Sequence, residues 1–362
     1  MCFVRAGIVN NSELISSAGQ SDSRSARCAT GLPKLSLQQS ATKLPLSVAR
    51  RLLQKDPDEL LNSTRFAQFQ HNIWQPVQKK SFSGVWVCNG PPRHSLEPCS
   101  SDLTILFFHG GGYVLGSPAA SAPTLLRISE LAAESQPKLN ISTFALQYSL
   151  APEHRFPTQL NEAVAAYHYL VHDVGIQPRK LVVLGTSAGG HLALCFVRKL
   201  QELGFPQIGG LFLLSPWVSL THSSKSFQIN KQKDTVARKF LEKARNRFIG
   251  VERTNKEAEV VLDFSKDRIG GVKWGDVLPQ KTFVSVGGDE VLLDDILEFV
   301  SEARRDGSCI HLDISERKEH SWEFNTDTAA AQRYYQTSLE QSLEPPLLGA
   351  SRILNAIRTV MF

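Results

Sequence analysis

The chain has 362 residues, 42% of them hydrophobic and 21% charged, with a formal net charge of +5. That length and apolar content suit one large α/β domain or two smaller ones and exclude a disordered or fibrous chain. The surplus positive charge gathers between Lys225 and Glu257 without aromatic interleaving or motif spacing, so it reads as a solvated basic face, and no nucleic-acid partner is expected.

The start of the chain breaks its apolar stretch at Arg5 and Asn10 and then carries Glu13, which makes a poor signal peptide. Residues 1–45, rich in serine, read as a disordered tail, and the expected location is cytoplasmic. The segment "PLSVARRLLQKDPDELLNSTRFAQFQHNIW" has helical apolar spacing in pieces, interrupted at Pro57, whereas "FSGVWVCNG" shortens the period to two, as in an exposed antiparallel strand. From Leu103 a strand–helix alternation sets in: LTILFF, ISTFALQY, KLVVLG, IGGLFLLS, KTFVSVGG and CIHLDIS are separated by helical stretches. Such alternation predicts a mostly parallel central sheet flanked by helices. Between Ser219 and Asp276 it is interrupted, but Val236, Phe240, Leu241, Ala244 and Phe248 share one helical stripe that ends at Gly250. The expected organisation is therefore a single domain over 46–362, with a helical lid formed by 46–80 and 220–275.

Six cysteines, Cys2, Cys28, Cys88, Cys99, Cys195 and Cys309, have no paired metal-ligand spacing. No disulfide framework is expected in a chain this large, although Cys88 and Cys99 flank a loop and could pair in a secreted chain. No run of 18 apolar residues exists, so no stable membrane insertion is expected. At the end of the chain Leu348, Ile353, Leu354, Ile357 and Met361 can share a helical face bordered by Arg352 and Arg358. That face is expected to dock on the domain or on a second subunit of a homo-oligomer, with weak membrane-surface association as the alternative.

"HGGGYVLGS" sets three glycines at the end of a buried strand. A run so costly in backbone entropy marks close approach or unusual dihedrals, and two uses compete: a turn or phosphate cradle, and an oxyanion hole built from the N–H groups of Gly110 and Gly111. The second needs a nucleophile, and "VVLGTSAGGHLAL" supplies one. Gly185, Ser187 and Gly189 form G-x-S-x-G between an apolar strand and a helix, the context of a nucleophile elbow, with the N–H of Ala188 as a further oxyanion donor. Gly112 would let the backbone turn away. A serine hydroxyl needs a base oriented by a carboxylate, in the chain order Ser, acid, His. His311 lies inside a strand and reads as structural, as does His191 in the elbow helix, so His320 in the following loop is the candidate base. The acid comes from "FVSVGGDEVLLDDI": Asp294 and Asp295 suit a helix N-terminus, and the residues alone leave Asp289 and Glu290 both open.

Together "HGGGYVLGS", "YSLAPEHRFP", "GTSAGG", the acid before "VLLDD" and the histidine of "HSW" resemble the hormone-sensitive-lipase family of α/β-hydrolases, including its fungal sterol-acetyl-esterase-like members, over roughly 103–341. The resemblance implies the α/β-hydrolase fold and a serine carboxylic-ester hydrolase acting on short- to medium-chain acyl or acetyl esters, in lipid or secondary-metabolite metabolism, with no metal or organic cofactor. It places the acid at Glu290, with Asp289 as the alternative, because "VLLDD" aligns with the string that follows the family's catalytic acid. It also implies that the "YSLAPEHRFP" loop, with Glu153, His154 and Arg155, braces the oxyanion loop, and that His109 orients that loop rather than exchanging protons. Amide, thioester or lactone hydrolysis by the same machinery is the nearest alternative. A non-catalytic ligand receptor on a hydrolase scaffold is the other, and the retained His320 argues against it.

Overall fold

Strands such as LTILFF and LVVLGT have no polar alternation, so they are stable only where both faces of a sheet are covered. The computed structural model describes residues 44–250, 262–264 and 273–362 and arranges them in that way. Eight strands, β1 (Gln75–Gln78), β2 (Ser83–Asn89), β3 (Leu103–Phe108), β4 (Ile141–Leu146), β5 (Leu181–Thr186), β6 (Gly210–Leu214), β7 (Thr282–Gly287) and β8 (Ile310–Ser315), form one sheet. Their order is β1-β2-β4-β3-β5-β6-β7-β8, antiparallel at β1/β2 and β2/β4 and parallel from β4 onward.

Among the described residues the helices of eight residues or more are α1 (Leu46–Leu53), α2 (Pro118–Glu134), α3 (Thr158–His168), α4 (Ala188–Glu202), α5 (Arg238–Ile249), α6 (Leu293–Arg305), α7 (Trp322–Ala329) and α8 (Leu348–Met361). Because side chains alternate along a strand, Leu106, Phe108, Val183 and Leu213 pack on one face with Ala163 of α3, Leu192 of α4, Leu241 of α5 and Ile296 of α6. Ile105, Phe107, Val182 and Leu184 pack on the other with Leu125 of α2, Phe324 of α7 and Ile353 of α8. Loops leaving the carboxyl ends of β3, β5, β6, β7 and β8 meet at one edge of the sheet, where open parallel sheets place their ligands.

Several sequence expectations change. The segment "FSGVWVCNG" is antiparallel but not exposed: Val85 to Asn89 are buried, because β2 pairs on both sides and is covered on both faces. Residues 75–78, assigned to the lid, are edge strand β1 of the sheet. Cys88, buried, and Cys99, exposed, are both free thiols. In α8, Ile353, Leu354, Ile357 and Met361 are buried against the domain, whereas Leu348 points away and is 52% exposed. Asp327 caps that helix by accepting the N–H groups of Gly349 and Ala350 at 2.9 and 2.7 Å. No helix among the described residues is long and apolar enough to cross a membrane. The expected tail lies outside the described residues up to position 43, as do 251–261 and 265–272 of the expected lid.

Candidate active site

The elbow is built by backbone contact. Ser187 joins β5 to α4 with φ 53° and ψ −118°, a region that side chains rarely adopt. It is held there by its N–H to the Leu214 carbonyl and by its own carbonyl, which accepts from Trp217 and His191. A Cβ on Gly189 would stand 2.0 Å from the Phe108 carbonyl oxygen, and one on Gly185 2.4 Å from that of Gly189. Only glycine lets these three segments approach so closely.

His320, buried, reaches Ser187 from the loop after β8: its Nε2 lies 2.8 Å from the Ser187 Oγ and its Nδ1 3.0 Å from Glu290 Oε2. Since the carboxylate can only accept, Nδ1 carries the proton and Nε2 is free to take one from the hydroxyl. Glu290, fully buried, receives the Ser215 hydroxyl and the Gly287 N–H on its other oxygen. Burial by itself would lower the His320 pKa, but the hydrogen bond and charge of Glu290, with Asp234 and Glu323 adding, hold it above the ordinary histidine value. Burial pushes the Glu290 carboxyl up, and the bonds from His320 and Ser215 oppose that shift. The neighbouring Asp289 turns away and pairs with Lys233 at 3.0 Å. Of the two carboxylates that the residues left open, only Glu290 meets the histidine.

The glycine loop lies beside the serine. A Cβ on Gly110 would come 3.2 Å from that of Ser187, and Gly111 and Gly112 have φ 113° and 61°. Among the described residues none accepts from the N–H of Gly110, Gly111 or Ala188. Gly112 does more than turn the chain, since its Cα packs where a Cβ would meet Ala244 and Phe240 of α5 at 3.0 and 3.1 Å. His109 donates from Nδ1 to the Gly110 carbonyl at 2.7 Å and stacks on Tyr148, whose hydroxyl donates to the His109 carbonyl at 2.8 Å. Burial pushes its pKa down to about 4, so it stays neutral as a brace. The Ala151 N–H bonds to the Tyr113 carbonyl, and Glu153 pairs with Arg50 of α1, which also donates to the carbonyls of Val114 and Ala151. His191 is internal: its Nε2 donates to the Leu262 carbonyl, so its Nδ1 accepts from the Tyr113 hydroxyl. His311 is exposed on edge strand β8.

A cavity of about 250 Å³ opens over Ser187. Its lining includes Phe240 and Leu241 of α5 and Leu53 of α1, with Ala120, Ser121 and Thr328. Among the described residues no group of three or more His, Cys, Asp or Glu side chains is arranged to hold a metal ion. Sequence reasoning missed Ser215 and Asp234. Ser215 directly follows β6, the strand between those that lead to Ser187 and Glu290, so the strand order was the signal for it.

Residues 105–324 match the family model described as alpha/beta hydrolase fold. The chain belongs to that family. It is 28% identical over 232 residues to an acetyl-hydrolase of Streptomyces hygroscopicus, covering 63% of this chain and 71% of the relative. It is also 28% identical over 216 residues to an esterase of Acinetobacter venetianus, covering 59% and 66%. Its structure superposes on the crystal structure of EstE5 soaked with ethyl alcohol with a TM-score of 0.66 and 25% identity, covering 91% of this chain and 97% of that one. A further structural neighbour is an esterase of the bacterial hormone-sensitive lipase family. The protein is a carboxylesterase-like hydrolase.

Proposed function

We propose that the protein hydrolyses small carboxylic esters through an acyl-enzyme formed on Ser187. The observation that carries this reading is the chain of contacts from Ser187 Oγ through His320 to Glu290, at 2.8 and 3.0 Å, beside glycine N–H groups without an acceptor. His320 takes the hydroxyl proton on Nε2 as Oγ bonds to the ester carbonyl carbon, and the oxygen of the resulting tetrahedral intermediate becomes an anion held by the N–H groups of Gly110, Gly111 and Ala188. Collapse of the intermediate breaks the bond to the alcohol, which leaves with the proton from His320. A water then gives a proton to Nε2 and attacks the acyl carbon, and collapse returns the proton to Ser187 and frees the acid. Glu290 keeps the imidazole oriented and offsets its transient charge.

The cavity of about 250 Å³ is smaller than the roughly 300–1,000 Å³ of sites that enclose drug-sized ligands, which favours acetyl and other short acyl groups. The relatives named acetyl-hydrolase and esterase favour the same class. In this reading α1 and the 220–250 segment serve as the lid, and the enzyme works in the cytoplasm. The test is a series of acetate, butyrate and octanoate esters of one alcohol, run beside the matched acetamide, thioacetate and a lactone. Acetate is expected to give the highest kcat/KM. Preference for octanoate would overturn the size argument, and faster turnover of the amide would move the reaction class.

A further inference from the structure

The inserted segment before α5 carries a carboxylate that the reaction just described does not use. Asp234 is fully buried. Its Oδ1 accepts the His320 N–H at 3.0 Å and the Val236 N–H at 3.3 Å, and its Oδ2 accepts the Val291 N–H at 2.7 Å. Asn230, in the same turn, donates from Nδ2 to the Glu290 carbonyl at 2.8 Å and to that of Gly288 at 3.4 Å. Two side chains from one short stretch thus hold the loops after β7 and β8, each at or beside a residue of the proposed triad. A neutral amide has an acceptor oxygen on one side only, so a carboxylate is the group that accepts all three amides, and its position brings an acidic side chain to the histidine loop.

We propose that Asp234 is a positioning residue for ester hydrolysis: from the inserted segment, and with Asn230, it fixes the acid and histidine loops in mutual register, and its charge favours the imidazolium that His320 becomes when it takes the Ser187 proton. This rests on the Ser187–His320–Glu290 reading. Around His320 the facing groups are the Ser187 hydroxyl from the elbow, Glu290 from the loop after β7, Asp234 from the insertion and Glu323 from α7. Three of these are acidic, and Asp234 is the one contributed by the inserted segment. Removing its charge lowers the basicity of His320, so the protonated state retreats to lower pH while the transition state loses stabilisation.

The test uses the full-length protein with p-nitrophenyl acetate, titrating active sites with a fluorophosphonate and following kcat/KM across pH. For Asp234→Asn the expected result is a kcat about 10- to 100-fold lower per titrated site, KM within about twofold, and an acid limb displaced to lower pH by about half a unit or more. A structural role alone would lower the titrated fraction and leave the acid limb in place, and that result overturns the proposal. Asn230→Ala removes no charge, so its acid limb should stay while kcat per site falls about fivefold at constant KM. If Asp234→Asn does not fold, an unchanged kcat in Asn230→Ala is the overturning result. Ser187→Ala separates the two readings: retained turnover removes the triad and this proposal together, whereas an inactive Ser187→Ala beside an unaffected Asp234→Asn removes the positioning role alone.

Discussion

Ser187, the proposed nucleophile, and its partners are held in place by two different kinds of structure. Ser187 is fixed by main chain: a strand, a helix, a strained turn between them, and glycines at positions 185 and 189 that let carbonyls approach to distances where no Cβ fits. Glu290 and His320 sit on loops fixed by side chains from elsewhere, namely Ser215 after β6 and Asp234 and Asn230 in the insertion. A site built from local backbone can be disrupted by one methyl group and shifts little otherwise. The side-chain arm degrades in steps, because each contact can be removed separately.

The largest effect expected on the elbow side is chemical. Ser187→Ala should lower ester hydrolysis by about 10⁴-fold or more while leaving the thermal midpoint unchanged, because the hydroxyl is deleted without altering the turn. Turnover within tenfold of wild type would remove Ser187 as the nucleophile. Gly189→Ala probes the same region structurally: its added methyl would stand 2.0 Å from the Phe108 carbonyl oxygen, so little soluble, active protein is expected. A folded Gly189→Ala with normal fluorophosphonate labelling would show that the elbow yields more than its contacts imply.

The same contrast explains what could be read from the sequence. The elbow is contiguous, so G-x-S-x-G between an apolar strand and a helix points to Ser187 and Ala188 from the sequence alone, and chain order with a position after a strand points to His320 as the proposed base. Two differences share a cause: the sequence pattern reads "FSGVWVCNG" as exposed and residues 75–78 as lid, whereas both belong to the sheet. Whether an antiparallel strand is covered depends on its neighbours in the sheet, and the strand itself does not encode them. Asp234 was invisible for a similar reason. It lies in a basic, weakly patterned stretch, and its three amide partners come from positions 236, 291 and 320. Glu290 and Asp289 were equivalent until the family resemblance separated them, because adjacent residues share every local signal and differ only in direction.

On the arm, Glu290→Gln is expected to reduce kcat by about 10²–10⁴-fold at little cost in stability, since the amide keeps the size but not the charge that offsets the imidazolium. The pH profile sharpens this. Glu290 holds the His320 pKa above the ordinary value of 6.5, and in the proposed reaction His320 must be neutral in the free enzyme, so the wild-type acid limb of kcat/KM should lie above that value. Losing the carboxylate charge should carry the limb to lower pH. A limb that stays fixed in Glu290→Gln would mean that another group sets the charge on His320.

The smallest expected effect tests whether the arm depends on direction rather than on sequence neighbourhood. Asp289 is next to Glu290 in the chain, but its carboxylate points outward to Lys233 at 3.0 Å, with the two side chains 26% and 51% exposed. A solvent-screened pair of this kind contributes about 0–1 kcal/mol. Lys233 precedes Asp234, so losing the pair could at most loosen the segment that Asp234 anchors, and that anchor keeps its three amide contacts. Asp289→Asn should therefore retain kcat within about twofold and leave the acid limb in place, with a change of about 1 kcal/mol or less in stability at low salt that fades as salt is added. A loss comparable to that of Glu290→Gln would transfer the acid role to Asp289.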